Sequence, residues 1–257
     1  MIKFFRQIRY KLIGENKTGR YLKYAIGEII LVVIGILIAL QINNWNSNRM
    51  DRLKEKEILS SLSTDFQETR VNLLETLRKQ NRVVDYCNKL AKEMRRENME
   101  ISFDSLGEYM YRGAFSYWRI EPVNGTYDAL IGSGNTNLIK NQELIQLLAK
   151  FSAEVKFGFE DEAMAIDLTS SLVDGSSAYA SALFPKVLQS YLDWEKQFDS
   201  EEDKKLIIEK HMNNDEFLGT LIMKYGLEKN RLDYQNRIFD LSENIIAQLE
   251  TELAKTK

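Results

Sequence analysis

The sequence predicts an all-α membrane protein in which one transmembrane helix continues into a long helix and an extracytoplasmic helical bundle. Three observations support this prediction: a long apolar run near the N-terminus, helical spacing of apolar residues through most of the remainder, and a near absence of strand patterns. We divide the chain into a basic cytoplasmic tail (residues 1–23), a transmembrane helix (residues 24–42) and a helical extracytoplasmic domain (residues 49–257).

The apolar run defines the membrane-spanning element. Residues 24–42 read YAIGEIILVVIGILIALQI, and the centre from Ile29 to Leu40 has no polar side chain. A helix of this length rises about 28 Å, close to the roughly 30 Å thickness of a hydrocarbon core. Glu28 and Gln41 interrupt the run near its two ends, where a long side chain can reach the headgroups. We therefore predict a single membrane span and a lipid bilayer as a partner.

Basic residues before the span predict its orientation. Seven Lys and Arg residues precede it and only Glu15 opposes them, whereas basic and acidic residues are interleaved after it. The positive-inside rule then keeps the N-terminus cytoplasmic and exports the C-terminal domain. This predicts the inner (cytoplasmic) membrane, with a periplasmic domain. A cleaved signal peptide is the alternative, but no A-x-A site follows the long run, so an uncleaved signal anchor is preferred.

Aromatic residues mark both ends of the span. Tyr21 and Tyr24 lie at one boundary and Trp45 lies just beyond the other. Tyr and Trp are enriched at membrane interfaces because their rings are apolar and their tips are polar. We interpret these three residues as interfacial anchors. The tail before them is either an amphipathic interfacial helix or a basic segment without fixed structure.

Three residues within the span form a candidate transmembrane association face: Glu28, Gly35 and Ala39. They fall within about 40° of one another on a helical wheel. Small residues four apart let helices approach closely, and a carboxylate in lipid is costly enough to favour a partner. This pattern predicts self-association or a protein partner in the membrane. The alternative is that Glu28 lies one turn inside the boundary and reaches the headgroups beside Lys23.

Charge and composition limit what the exported domain can bind. The chain has a net charge of −3, but residues 49–257 carry about −8, which makes nucleic acid a poor partner. The single cysteine, Cys87, cannot form an internal disulfide, and with the single histidine, His211, it makes a zinc site improbable. Cys87 lies in an apolar helical pattern, so we expect a buried thiol. No cofactor is indicated.

Apolar spacing predicts the helices of the domain. From about Arg49 to Asn98 there is no Pro or Gly, and apolar residues recur at multiples of seven, which predicts one long helix. Packing within a local bundle is preferred to a dimeric coiled coil, because polar residues interrupt the seam. Asn141 and Ser200 are predicted helix N-caps. A final helix is predicted from about Leu227 to Leu253, separated from the preceding helix near Gly226.

No pattern of catalytic residues is recognisable. The turn at residues 132–137 offers backbone amides but lacks the Lys-Ser/Thr pair of a phosphate loop, so we interpret it as a structural corner. The acidic run at residues 159–162 is predicted to be a solvated patch, since consecutive helical residues diverge. His211 has no acid–base partner at recognisable spacing. The chain is therefore predicted not to be an enzyme.

Two segments resemble a known family. The stretch YAIGEIILVVIGILIALQINNWN, with IRYKLIGENKTGRYLKYA leading into it, resembles the N-terminal signature of domain-of-unknown-function family 6090, an uncharacterised bacterial family. TYDALIGSGNTNLIKNQELIQLL, Thr126 to Leu148, resembles the internal motif of that family. The resemblance implies a mostly helical protein with one membrane anchor, and it implies no activity.

Together these features predict a membrane-anchored helical interaction or scaffolding protein of the bacterial cell envelope, which binds another membrane or periplasmic protein. The alternative is a sensory or regulatory subunit that acts through a partner membrane protein. We expect the first, because a tail of about twenty cytoplasmic residues carries no output domain, and any signal would pass through helices of a partner.

Overall fold

The computed structural model describes residues 18–97, 100–176 and 200–255. Helices hold most of these residues, and no strand is present within them. The all-α prediction is therefore confirmed. Most of the predicted basic tail lies outside the described residues.

The helices are numbered in chain order. They are α1 (Thr18–Glu93), α2 (Phe103–Tyr109), α3 (Gly125–Gly132), α4 (Gln142–Phe157), α5 (Glu162–Ser176), α6 (Glu201–Met212) and α7 (Asp215–Lys255). A π-helix, Met110–Ala114, follows α2 directly, and a 3₁₀ turn, Asn135–Leu138, follows α3.

The chain divides into two compact units, Met1–Glu57 and Ile58–Lys257. In the first unit α1 carries the apolar run, and its large aliphatic side chains from Ile29 to Leu40 are between 46% and 69% exposed. None of its most apolar 18-residue window is buried by the chain itself. Among the described helices, α1 is the one whose length and composition suit a membrane crossing. This agrees with a single-pass membrane protein.

The main core of the second unit joins α1, α4 and α7. Its fully or almost fully buried members include Leu59, Leu62, Phe66 and Leu73 of α1, Leu144, Leu148 and Phe151 of α4, and Ile238, Ile245 and Leu249 of α7. The rings of Phe66 and Phe151 meet edge to face, with centroids 5.0 Å apart. The apolar stripe predicted on α1 thus packs within the bundle of its own chain.

A second apolar cluster lies further along α1. It joins Val83, Cys87 and Leu90 to Leu106, Met110 and Ala114, to Leu172 of α5, and to Met212, Phe217 and Leu221. Cys87 is buried, as predicted, and loss of hydration on burial raises the pKa of its thiol to about 12. The thiol is therefore protonated at neutral pH and is a packing residue.

Helices α1 and α7 run antiparallel. Arg70 pairs with Glu243, whereas Gln80, three turns later on α1, contacts Glu228, which lies earlier on α7. Buried positions on α7 recur at intervals of three and four residues from Phe217 onward. This spacing keeps one stripe of each helix against its neighbours.

Both predicted N-caps are confirmed. Oδ1 of Asn141 accepts a hydrogen bond from the backbone N–H of Leu144 at 3.0 Å, and its amide donates to Glu252 of α7 at 2.8 Å. Oγ of Ser200 accepts from the backbone N–H of Asp203 at 3.1 Å. Each cap satisfies a backbone donor that the first turn leaves without a partner.

The turn at residues 132–137 is a structural corner, as predicted. Gly134 has a φ of 69°, in the left-handed region that glycine adopts without a steric cost. The 3₁₀ turn that follows returns the chain to the bundle, where Ile139 is buried in the main core.

The predicted break near Gly226 is wrong. Helix α7 runs without interruption from Asp215 to Lys255 through Gly219 and Gly226. A Cβ at either glycine would meet nothing within 4 Å, so both positions lie on an open face. Each glycine costs about 1 kcal/mol relative to alanine in a helix, and the burial of the opposite face outweighs that cost.

Candidate functional site

The predicted association face lies on the uncovered part of α1. Gly35 and Ala39 are exposed and Glu28 is partly exposed. A Cβ at Gly35 would meet nothing within 4 Å, so another helix can approach there. Packing within the described chain does not use Gly35, and association through this face stays a prediction.

The three predicted interfacial anchors all belong to α1. Trp45 is 64% exposed, as an anchor at a membrane boundary requires. Tyr21 and Tyr24 lie in the helix, but their side chains are outside the described part of the structure. Their role as anchors stays a prediction.

A buried polar layer lies between the two apolar clusters. Helix α7 contributes Lys224, Glu228, Arg231 and Gln235, and α1 contributes Gln80. No side chain in this layer is more than 2% exposed. The four α7 residues continue the three-and-four spacing of the apolar stripe, which places them inside the bundle.

Glu228 lies at the centre of this polar layer. Its Oε2 accepts from Nε2 of Gln80 at 2.7 Å, and its Oε1 accepts from Nζ of Lys224 at 2.8 Å. Lys224 also donates to Oγ1 of Thr169 on α5 at 2.8 Å. Removing an ion from water costs several kcal/mol, and these contacts offset that cost for both charges. The layer therefore links α1, α5 and α7.

Arg231 holds the second positive charge of the layer. Its guanidinium lies 3.7 Å from Oε2 of Glu228, 3.6 Å from Oδ1 of Asp161, and 5.4 Å from the centroid of the Tyr117 ring. None of its three nitrogens has a hydrogen-bond partner among the described residues, and neither has Oε1 of Gln235. Its charge is balanced by the two carboxylates and the ring face, without directed hydrogen bonds.

Trp118 connects the polar layer to a neighbouring cavity. Its backbone N–H donates to Oε1 of Gln80 at 3.2 Å, and its carbonyl accepts from Nε2 of Gln235 at 2.7 Å. The Trp118 ring lines the cavity, with Nζ of Lys79 at 4.3 Å from the ring centroid. The segment after the π-helix is thus held from both α1 and α7.

The cavity itself has a volume of about 360 Å³. Its lining residues are Lys79, Arg82, Tyr111, Arg112, Phe115, Ser116 and Trp118. Three of these side chains are cationic, three are aromatic and none is acidic. The volume falls at the lower end of the range for sites that bind small molecules.

The π-helix shapes one wall of this cavity. Tyr111 and Arg112 belong to it, and Gly113 lies where it meets α1. A Cβ at Gly113 would lie 2.6 Å from Cβ of Tyr86 and 3.3 Å from the backbone nitrogen of Cys87, so only glycine permits this close approach. π-helical turns recur at functional sites, which makes this wall a candidate functional element.

Two of the three cations in the cavity already have carboxylate partners. Nζ of Lys79 lies 2.7 Å from Oε1 of Glu75, and Nε of Arg112 lies 3.2 Å from Oε2 of Glu108. The hydrogen bond and the charge of Lys79 lower the pKa of Glu75. Arg82 has no ion-pair or hydrogen-bond partner in the described parts of the chain.

His211 and Ser176 form a buried pair that the sequence analysis missed. Nε2 of His211 lies 3.0 Å from Oγ of Ser176, and that hydroxyl donates to the carbonyl of Leu172 at 2.8 Å. Because the single hydroxyl proton is used there, His211 is the donor, which is opposite to the direction that activates a serine nucleophile. Burial lowers the pKa of His211 and favours the neutral imidazole.

The acidic run at residues 159–162, predicted to be a solvated patch, is solvated only in part: Glu160 is exposed, whereas Asp161 and Glu162 are half-buried and have cationic partners. Phe159 is buried in the core, Asp161 faces Arg231, and Glu162 pairs with Arg119. These residues lie at the bend between α4 and α5, and their side chains diverge, as predicted. Within the described ranges, no group of three or more His, Cys, Asp or Glu side chains is arranged to hold a metal ion.

Comparison with known proteins finds one family. The model of a family of unknown function, DUF6090, matches residues 28–147. The match covers residues 28–42 of the apolar run and all but the last residue of the 126–148 motif, and it confirms the resemblance over these residues. No curated protein and no solved structure matches the chain significantly.

The residues matched by the DUF6090 model include the whole lining of the cavity but only part of the buried polar layer. Every residue that lines the cavity lies within the match, from Lys79 to Trp118. Of the polar layer, the match contains Gln80, whereas Lys224, Glu228 and Arg231 follow it on α7. The cavity is therefore built from residues within the match, and the buried charges come from α7, which lies beyond it.

Proposed function

We propose that this chain is a membrane-anchored helical interaction protein of the bacterial cell envelope. Residues 24–42 anchor it, and the helical domain binds another membrane or periplasmic protein. The observation that carries the proposal is the uncovered aliphatic surface from Ile29 to Leu40. In water, a continuous apolar surface of this kind promotes aggregation, whereas the acyl chains of a bilayer solvate it.

The proposed orientation places the N-terminus in the cytoplasm and the domain in the periplasm, with the span as an uncleaved signal anchor. The basic residues before the span support it. Reporter fusions after Asn48 and after Lys257 should both report the periplasmic side. A cytoplasmic signal at Lys257 would reject the orientation and the periplasmic partners that depend on it.

The proposed partner contact in the membrane is the association face of Glu28, Gly35 and Ala39. Gly35→Ile should lower the yield of cross-links within intact membranes about fivefold, because the larger side chain keeps a second helix at a distance. Leu37→Phe is the matched control, since it adds bulk on the opposite side of the helix. Glu28→Leu should lower the yield more than Glu28→Gln, which retains a hydrogen-bonding group. Equal yields for Gly35→Ile and wild type would contradict the proposed face.

A second candidate function is a sensory or regulatory subunit that acts through a partner membrane protein. The observation that favours it is the cationic cavity, whose Trp118 segment is hydrogen-bonded to Gln80 and Gln235 of the bundle. A ligand there can bias how these helices pack, provided that it prefers one arrangement. One measurement distinguishes the two functions. If the protein is a sensory subunit, the yield of cross-links to its partner should change when a ligand occupies the cavity. If it is an interaction protein, the yield should not change.

A further inference from the structure

The cavity beside the π-helix differs in charge from the domain that contains it. Residues 49–257 carry about −8, yet the cavity lining has three cations and no acid. We propose that this cavity binds a small organic monoanion in which a planar, aromatic group carries a carboxylate. This proposal goes beyond the interaction function and does not depend on it.

The charge of the ligand follows from the ion pairs around the cavity. Lys79 and Arg112 are each neutralised by a carboxylate one turn earlier on the same helical segment, which leaves Arg82 as the excess positive charge. One unbalanced cation matches a singly charged carboxylate better than a phosphate dianion. A guanidinium also presents two parallel N–H donors to a carboxylate, a geometry that ammonium groups lack.

The shape of the ligand follows from the aromatic lining. Tyr111, Phe115 and Trp118 line the cavity with three rings, and Nζ of Lys79 lies over one face of Trp118. Rings favour offset or edge-to-face contacts with other rings, which an anion without a planar group cannot make. A volume of about 360 Å³ suits a molecule of one or two rings.

The walls of the cavity are fixed in place by the packing around them. The Trp118 backbone is hydrogen-bonded to both Gln80 and Gln235, and Gly113 holds the π-helix against α1. A backbone fixed in advance need not be ordered when a ligand binds, which lowers the entropic cost of binding.

Three probes separate the contributions of charge and ring. The full chain in lipid nanodiscs would be titrated calorimetrically with benzoate, with benzyl alcohol and with inorganic phosphate. Benzoate should bind at least about tenfold more tightly than either of the others, since it alone satisfies both the cation and the rings. Benzoate that does not bind, or that binds no better than benzyl alcohol or phosphate, would overturn the proposal.

Variants locate the binding to this cavity. Arg82→Gln should weaken benzoate binding about tenfold, and Arg82→Lys should weaken it less because it keeps the charge. Arg78→Gln is the matched control: it removes an exposed arginine one turn earlier on α1 and should leave the affinity unchanged. Unchanged affinity in Arg82→Gln would place the site elsewhere and reject the proposal. Cross-linking within the membrane should be the same in all three variants. A failure of the proposed ligand site can therefore be distinguished from a failure of the proposed association in the membrane.

Discussion

Gln80 of α1 and Glu228 of α7 are joined by two hydrogen bonds inside the bundle. Nε2 of Gln80 donates to the Glu228 carboxylate at 2.7 Å and to its backbone carbonyl at 3.0 Å. Both side chains are fully buried, between two apolar clusters. A shift of either helix by one turn would take the Gln80 amide away from this buried carboxylate and leave its Oε2 without a hydrogen-bond donor, so the contact favours one register of α1 against α7.

Glu228→Gln should destabilise the domain by about 3–5 kcal/mol, because it leaves Lys224 and Arg231 buried without their central carboxylate. The measurement is urea unfolding of the full chain in nanodiscs, followed by near-ultraviolet circular dichroism. Lys229→Gln, the next residue on the exposed face, is the control and should change stability by less than about 0.5 kcal/mol.

The pair Lys224→Met and Glu228→Leu should cost less together than the sum of the two single changes. Additive costs would show that the two side chains do not interact.

Gly113→Ala should destabilise the domain by about 1–3 kcal/mol, because the new Cβ overlaps Tyr86 and forces the π-helix away from α1. The same unfolding measurement tests it. Gly132→Ala is the matched control, since a Cβ there meets nothing within 4 Å. If the two variants unfold at the same urea concentration, the close approach at Gly113 does not exist in solution.

The pH dependence of stability should include a contribution from His211. Burial lowers its pKa in the folded state below the ordinary value of 6.5, so the unfolded chain binds the proton first as pH falls. The contribution of neutral His211 to the free energy of unfolding is therefore complete above about pH 6.5. It is lost as the pH falls below that value towards the folded-state pKa. Because the chain has one histidine, an imidazole NMR titration reports this residue alone. A midpoint at or above 6.5 would be inconsistent with the buried pair.

Much of the fold was predictable from apolar periodicity. The α1 stripe, the caps at Asn141 and Ser200 and the corner at residues 132–137 are local signals, and the structure reproduces each of them. The break expected at Gly226 was wrong because helix propensity is local, whereas the burial that keeps α7 continuous comes from other helices.

The candidate site was less predictable. Lys224, Glu228 and Arg231 are typical of a solvated helix face by residue type, and only their continuation of the α7 spacing indicates burial. The cavity joins residues 79–82 of α1 to residues 111–118, and tertiary packing alone brings these segments together. No spacing within either segment marks it as a site.

The position of residues 24–42 in the bilayer is the central claim, and spin-label accessibility tests it most directly. Single cysteines would be placed at Val32, Ile34 and Leu37, with Asn48 as a reference, in a Cys87→Ala background, and labelled with a nitroxide in reconstituted bilayers. In power-saturation measurements, the label at Ile34 should be the most accessible to oxygen and the least accessible to a water-soluble nickel chelate. The label at Asn48 should be the most accessible to the chelate and the least accessible to oxygen. Nickel accessibility at Ile34 equal to that at Asn48 would contradict membrane anchoring.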